Sequence, residues 1–176
     1  MQGPNPGGQR WRESGLNIED RANPAGPIIL VGNAPKSIRI GAQGWTKAKL
    51  AEIRQRFPSR EVLYRPKPER PLEDVDADGV ATGAIEDVLK GASLVVCRHS
   101  NVAVDACRMG IPVACDDGAA AAIYPTLDRW LEQPSEATRI EFLHRLSYWQ
   151  WTARELGEEA FWTWLQGVIS SLSPTP

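Results

Sequence analysis

Apolar residues along this chain fall into short runs separated by polar stretches, and the runs alternate between two periods. Ile28-Ile29-Leu30-Val31-Gly32 is nonpolar at every position, the reading of a strand buried on both faces. From Trp45 to Phe57 the apolar positions Leu50, Ile53 and Phe57 recur every three to four residues with charges between them, which predicts an amphipathic helix stopped by Pro58. Glu61-Val62-Leu63-Tyr64-Arg65 predicts a second strand, broken by Pro66 and Pro68. Residues 66–83 form a polar, acidic loop of a length more often functional than idle, and Ala84 to Lys90 predicts a short helix ended by Gly91. Ser93 to Cys97 is a third strand, Asn101 to Met109 a small-residue helix closed by Gly110, and Pro112 to Cys115 a fourth strand.

This alternation predicts an α/β fold: a Rossmann-like parallel sheet with helices on both faces, because right-handed crossovers return each strand beside an earlier one. Helical period resumes from about Ser135, where Ile140, Leu143, Leu146 and Trp149 share one face and Phe161, Leu165 and Val168 form a second stripe. Three segments follow: an irregular Gly-, Pro- and Asn-rich arm over 1–27 with Trp11 and Leu16 as its anchors, a sheet domain over 28–134, and a Trp-rich helical tail over 135–171 packed on that domain.

Charge narrows the partners. Against 22 acidic residues stand 20 Lys and Arg, a formal net charge of -2, which argues against general nucleic-acid binding. The three cysteines, Cys97, Cys107 and Cys115, lack the close pairing of a zinc or redox site and read as buried hydrophobes in a reducing cytoplasm. No apolar stretch approaches the roughly 20 residues of a membrane span, so no membrane insertion is expected. Asp74, Asp76 and Asp78, with Glu73, lack the glutamate a calcium loop needs, and no metal or other cofactor is expected.

In an open parallel sheet, ligands lie beyond the carboxyl ends of the strands. Those ends here carry Gly32 to Ser37 with Lys36, then Arg65 and Lys67, then Arg98-His99-Ser100-Asn101, then Asp116-Asp117-Gly118. An anion at that rim would meet Lys36, Arg65, Lys67 and Arg98, with Ser100 and the N–H groups of the following turn as neutral donors. Ser100 equally suits a helix N-cap without any ligand. His99 reads either as a general acid or base, the one catalytic candidate, or as a polar residue at a strand exit. Asp105 reads either as an acceptor of ribose hydroxyls or as a solvent-facing acid.

Tyr64-Arg65-Pro66-Lys67-Pro68, Arg98-His99-Ser100-Asn101, Asp105-Ala106 and Gly110-Ile111-Pro112-Val113 together resemble the carboxyl-terminal half of GT-B glycosyltransferases. The likeness is to the capsule-polysaccharide type and its phage-encoded relatives, whose Cys-Gln-Trp-Thr ending Tyr148-Trp149-Gln150-Trp151-Thr152 also resembles. It implies that Arg65 and Lys67 contact phosphate, that His99, Ser100 and Asn101 line the pocket of a nucleotide-sugar donor, and that Asp105 stands for the ribose-binding acid. Asp105 is one methylene shorter than the usual Glu of that family. It further implies an acceptor domain outside residues 27–165, hence a partner domain or a homo-oligomer; the cytoplasmic location expected from the cysteines is the host's if the chain is phage-encoded. A non-catalytic interaction protein and a nucleotide-sequestering module on the same fold are the alternatives.

Overall fold

The computed structural model describes residues 8–34, 42–67 and 74–172. In chain order the elements are α1 (Gln9–Glu13), β1 (Ile28–Val31), α2 (Trp45–Arg56), β2 (Val62–Arg65), β3 (Gly79–Val80), α3 (Ile85–Leu89), β4 (Leu94–Cys97), α4 (Val102–Arg108), β5 (Val113–Cys115), α5 (Glu136–Ser147) and α6 (Glu159–Leu172). They group into two units, one running from Ile18 to Ser135 and the other joining the segment that ends at Asn17 to the one that begins at Glu136.

The first unit is a sheet of five strands, all parallel, in the order β3-β2-β1-β4-β5. β1 lies between β2, with Ile28 opposite Val62, and β4, with Ile28 opposite Leu94. Both β1 and β4 are buried at every position, as their uninterrupted apolar runs require. Alternation along the strands sends Ile28, Leu30, Val62, Leu94 and Val96 to one face, where Leu50 and Ile53 of α2 and Leu127 complete a core. α4 packs on β4 and β5 and buries Ala103, Ala106 and Cys107, small side chains that let it sit close.

Four of the strands are those the apolar runs predict. β3 is the fifth, and its two residues carry no apolar run; its backbone pairs with β2, and a polar side chain beside it adds to that pairing. The Asp78 carboxylate accepts the Val62 N–H at 2.7 Å and pairs with Arg54 at 2.7 Å, tying the end of the acidic loop to β2 and α2. The Arg54 hydrogen bond is the main reason the Asp78 carboxyl lies below its usual range.

Residues 18–27, expected to be irregular, are tied down through backbone. Glu19 N–H donates to Arg108 O at 2.7 Å, Arg21 N–H to Met109 O at 2.8 Å and Asn23 N–H to Ala92 O at 3.1 Å. Gly110 admits this strap: its φ is 74°, and a Cβ there would fall 2.7 Å from the Glu19 carbonyl oxygen. Leu16, an expected anchor, is 49% exposed.

The outer side of β5 is closed by its own chain. The Gln133 carboxamide accepts the Val113 N–H at 3.0 Å and donates to the Val113 carbonyl at 3.1 Å, and Cys115 N–H donates to Pro125 O at 2.8 Å.

In the second unit, Arg10 of α1 donates to the carbonyls of Ser147 at 3.0 Å and Gln150 at 2.6 Å and pairs with Glu155 at 2.7 Å. Its guanidinium lies 3.8 Å from the Trp151 ring centroid. The Trp151 ring meets Phe161 and Trp164 edge-on or tilted, with centroids 5.2 and 5.3 Å away. Trp149, Trp151 and Trp164 therefore pack on one another within this unit.

Candidate functional site

The chain builds β1, β2 and β3 in one direction and then crosses back to place β4 and β5 on the other side of β1. The reversal falls at β1 and β4, and beyond the carboxyl ends of the strands at such a reversal is where open parallel sheets take ligands. Gly32 follows β1 directly and donates its N–H to Arg65 O at 2.9 Å. A Cβ on Gly32 would lie 2.3 Å from the Tyr64 hydroxyl, so only glycine lets the strand end pass so near that ring. Asn33, next in line, is 8% exposed and donates from Nδ2 to Thr46 Oγ1 at 3.4 Å. Asn33 stands on this rim in the sequence too, though not among the candidates drawn from it. The available signal was a carboxamide two residues beyond an all-apolar strand, where a buried polar group needs a partner. Lys36 lies outside the described residues.

Lys67 follows β2, yet its Nζ donates to Ser100 Oγ, beyond β4, at 2.8 Å. β2 and β4 stand two ladder spacings apart, about 10 Å, so this bond passes over the carboxyl end of β1 between them. Ser100 Oγ also accepts the Val102 N–H at 3.4 Å, a long N-terminal contact for α4, while Asn101 makes no side-chain cap and is exposed. Arg98 is half-buried, and its guanidinium makes no hydrogen bond or ion pair with the described residues. Its backbone is fixed, since Asp117 N–H donates to Arg98 O at 2.6 Å and carries the β4–β5 pairing one step outward.

His99 is half-buried beside Gly118, whose φ of 85° lets its backbone approach so near that a Cβ would sit 3.1 Å from His99 Cα. Arg65 spends two of its N–H groups on the carbonyls of Ala81 at 2.9 Å and Gly83 at 2.8 Å, bracing the chain after β3 and leaving three donors on the same fork. Asp105 is half-buried on α4, and burial raises its carboxyl above the usual range, with Arg108 opposing that rise and Glu86 adding to it. The structure thus joins Lys67 to Ser100 directly, sets Arg98 and His99 on the same strand end, and gives Asp105 electrostatic neighbours on α3 and α4.

Two more groups shape the rim. The Asp116 carboxylate accepts the Trp45 indole N–H at 2.7 Å and pairs with Lys49 at 3.3 Å, which fixes the end of β5 to α2. Cys97 and Cys115 face each other across the β4–β5 ladder with sulfurs 3.7 Å apart. The contact with Cys115, then burial, raises the Cys97 thiol well above its usual range.

No family model matches the chain, and no match was found among curated proteins. Among solved structures it is similar to the beta Kdo 2,7 transferase KpsC of Thermosulfurimonas dismutans, at 20% identity and a TM-score of 0.51, over 77% of this chain and 50% of that one. A looser likeness, from which nothing is drawn, is to the spinosyn rhamnosyltransferase SpnG complexed with thymidine diphosphate, at 19% identity and a TM-score of 0.43, over 85% of this chain and 41% of that one. The first establishes the fold, a Rossmann-like sheet of the kind that forms half of a GT-B transferase; this chain spans half the length of that protein.

Proposed function

We propose, taking a sheet that shares its fold with half of a GT-B transferase as the premise, that the strand ends at β1 and β4 bind the diphosphate of a nucleotide or nucleotide sugar. One observation carries the reading: a half-buried Arg98 without an anionic partner among the described residues stands at the strand end to which Lys67 reaches across β1. A half-buried cation is costly unless something offsets its desolvation, and a phosphate does so with charge-assisted hydrogen bonds. Lys67 and Ser100 supply a second cation and a neutral donor; Arg65 keeps further N–H groups at the end of β2, and Lys36 and Asn101 complete the set. Asn33 adds a carboxamide on the floor. Asp105 is the acceptor for a ribose hydroxyl.

If the chain transfers sugar, charge develops on the departing diphosphate, and Arg98 and Lys67 stabilise it where it appears. His99 then lines the donor pocket as the candidate acid or base, and the acceptor is presented by a partner domain or subunit.

A thermal-shift panel of nucleoside monophosphates, diphosphates and nucleotide sugars tests the proposal. At least one diphosphate should raise the melting temperature, and the gain should shrink in Ser100→Ala; a chain that no nucleotide stabilises overturns it. Release of labelled sugar from the donor that binds best separates transfer from capture.

A further inference from the structure

The unit built from the two chain ends holds a solvent-open cleft of about 740 Å³. Tyr148, Trp151 and Trp164 form its aromatic wall, and four glutamates, Glu13, Glu155, Glu158 and Glu159, line it with Arg10 as the one cation among the described lining residues. Arg10 displays what these walls accept: its guanidinium stacks 3.8 Å from the Trp151 centroid and pairs with Glu155 at 2.7 Å. Of the other three carboxylates only Glu158 has a cation within ion-pair range, the exposed Arg154. Glu13 accepts the Gln9 amide at 2.8 Å, Glu158 stands 3.8 Å from Arg154, and Glu159 has no ion pair with a described residue.

We propose that this cleft docks a Lys- or Arg-rich segment of a partner polypeptide, its cations seated between the tryptophan faces and Glu13, Glu158 and Glu159. A neutral saccharide would stack on the rings but leave Glu13 and Glu159 without a cation, whereas guanidinium and ammonium groups complement them. The cleft holds more than one side chain, and Trp162 and Ile169, a heptad apart on α6, are 54% and 56% exposed. Such apolar surface on the same helix suits a polypeptide better than a small amine.

The full chain is titrated against a short fluorescent Arg/Lys peptide by anisotropy. Binding should weaken about tenfold in Glu158→Gln/Glu159→Gln, the order of two ion pairs. It should be unchanged in Glu61→Gln/Asp76→Asn, which removes the same charge from exposed positions in the other unit. Thr163→Arg, which places a built-in cation in the cleft, should block the peptide and serves if the double variant fails to fold. No binding, equal loss in both double variants, or equal competition by spermidine or a neutral oligosaccharide overturns the proposal.

Discussion

Replacing Arg98 by methionine separates a ligand-binding cation from a structural one, because the two roles predict opposite responses. The guanidinium is half-buried and makes no ion pair or hydrogen bond among the described residues, so removing its charge costs the ligand-free protein no contact. The expected change in unfolding free energy is within about 0.5 kcal/mol of zero, which for a chain of 176 residues is about 2 °C or less. With a diphosphate bound, the loss is that of a charge-assisted hydrogen bond, about 1.5–3 kcal/mol, or tenfold or more in affinity. A ligand at about ten times its Kd stabilises the native state by about 1.4 kcal/mol, or about 3–6 °C; a tenfold weaker site at the same concentration retains about 0.4 kcal/mol, or about 1–2 °C. Lys67→Met is the internal contrast. It forfeits the 2.8 Å bond to Ser100 and should lower the ligand-free melting temperature as well, by the equivalent of about 1 kcal/mol. Differential scanning fluorimetry with and without the stabilising nucleotide reads all four states. An Arg98→Met protein that keeps the full nucleotide shift, or melts several degrees lower on its own, refutes the reasoning.

Further outcomes rest on packing and charge. Gly32→Ala puts a methyl 2.3 Å from the Tyr64 hydroxyl of a ring only 3% exposed, and should cost about 1–3 kcal/mol in urea unfolding; a neutral result would mean the strand end shifts freely. Ile53→Ala, at a fully buried α2 position over β1, should cost about 2–5 kcal/mol by the same measurement, with the m-value unchanged. Glu155 is held at about 2 instead of the ordinary 4.5, chiefly by the Arg10 hydrogen bond, so its stabilisation is complete above pH 4.5 and fades as pH falls towards 2. Acid unfolding followed by tryptophan emission should therefore show Glu155→Gln less stable than the parent at neutral pH, with the gap closing below about pH 2; a gap that persists there assigns the loss to packing.

What the sequence disclosed depended on which physical signal each element left. β1 and β4 are buried on both faces and therefore apolar throughout, so four of the strands and the alternation that makes them parallel were legible. β3 was not, because two residues paired through backbone, with Asp78 beside them, leave no hydrophobic pattern. The strap at Glu19–Asn23 was nearly as silent: apart from a 3.8 Å pairing of Glu19 with Arg108, it is joined to α4 and to Ala92 through backbone, and backbone has no letter in the sequence. Strand ends identified Lys67, Arg98 and Ser100 as neighbours on a common rim, while the bond from Lys67 over β1 required the strand order, which no local pattern encodes. Asn33 shows the converse, since its residue type was visible and its burial was not.

Gln133 bears on how this protein can meet another copy of itself. Sheet edges offer unpaired N–H and C=O groups as templates for further strands. Here the carboxamide stands in for the missing neighbour at Val113, and Pro125 takes the Cys115 N–H, while the opposite edge, β3, is two residues long. Strand addition at β5 must first evict Gln133, so self-association through a continued sheet is obstructed at its one substantial edge, and assembly is left to helix faces and to the rims.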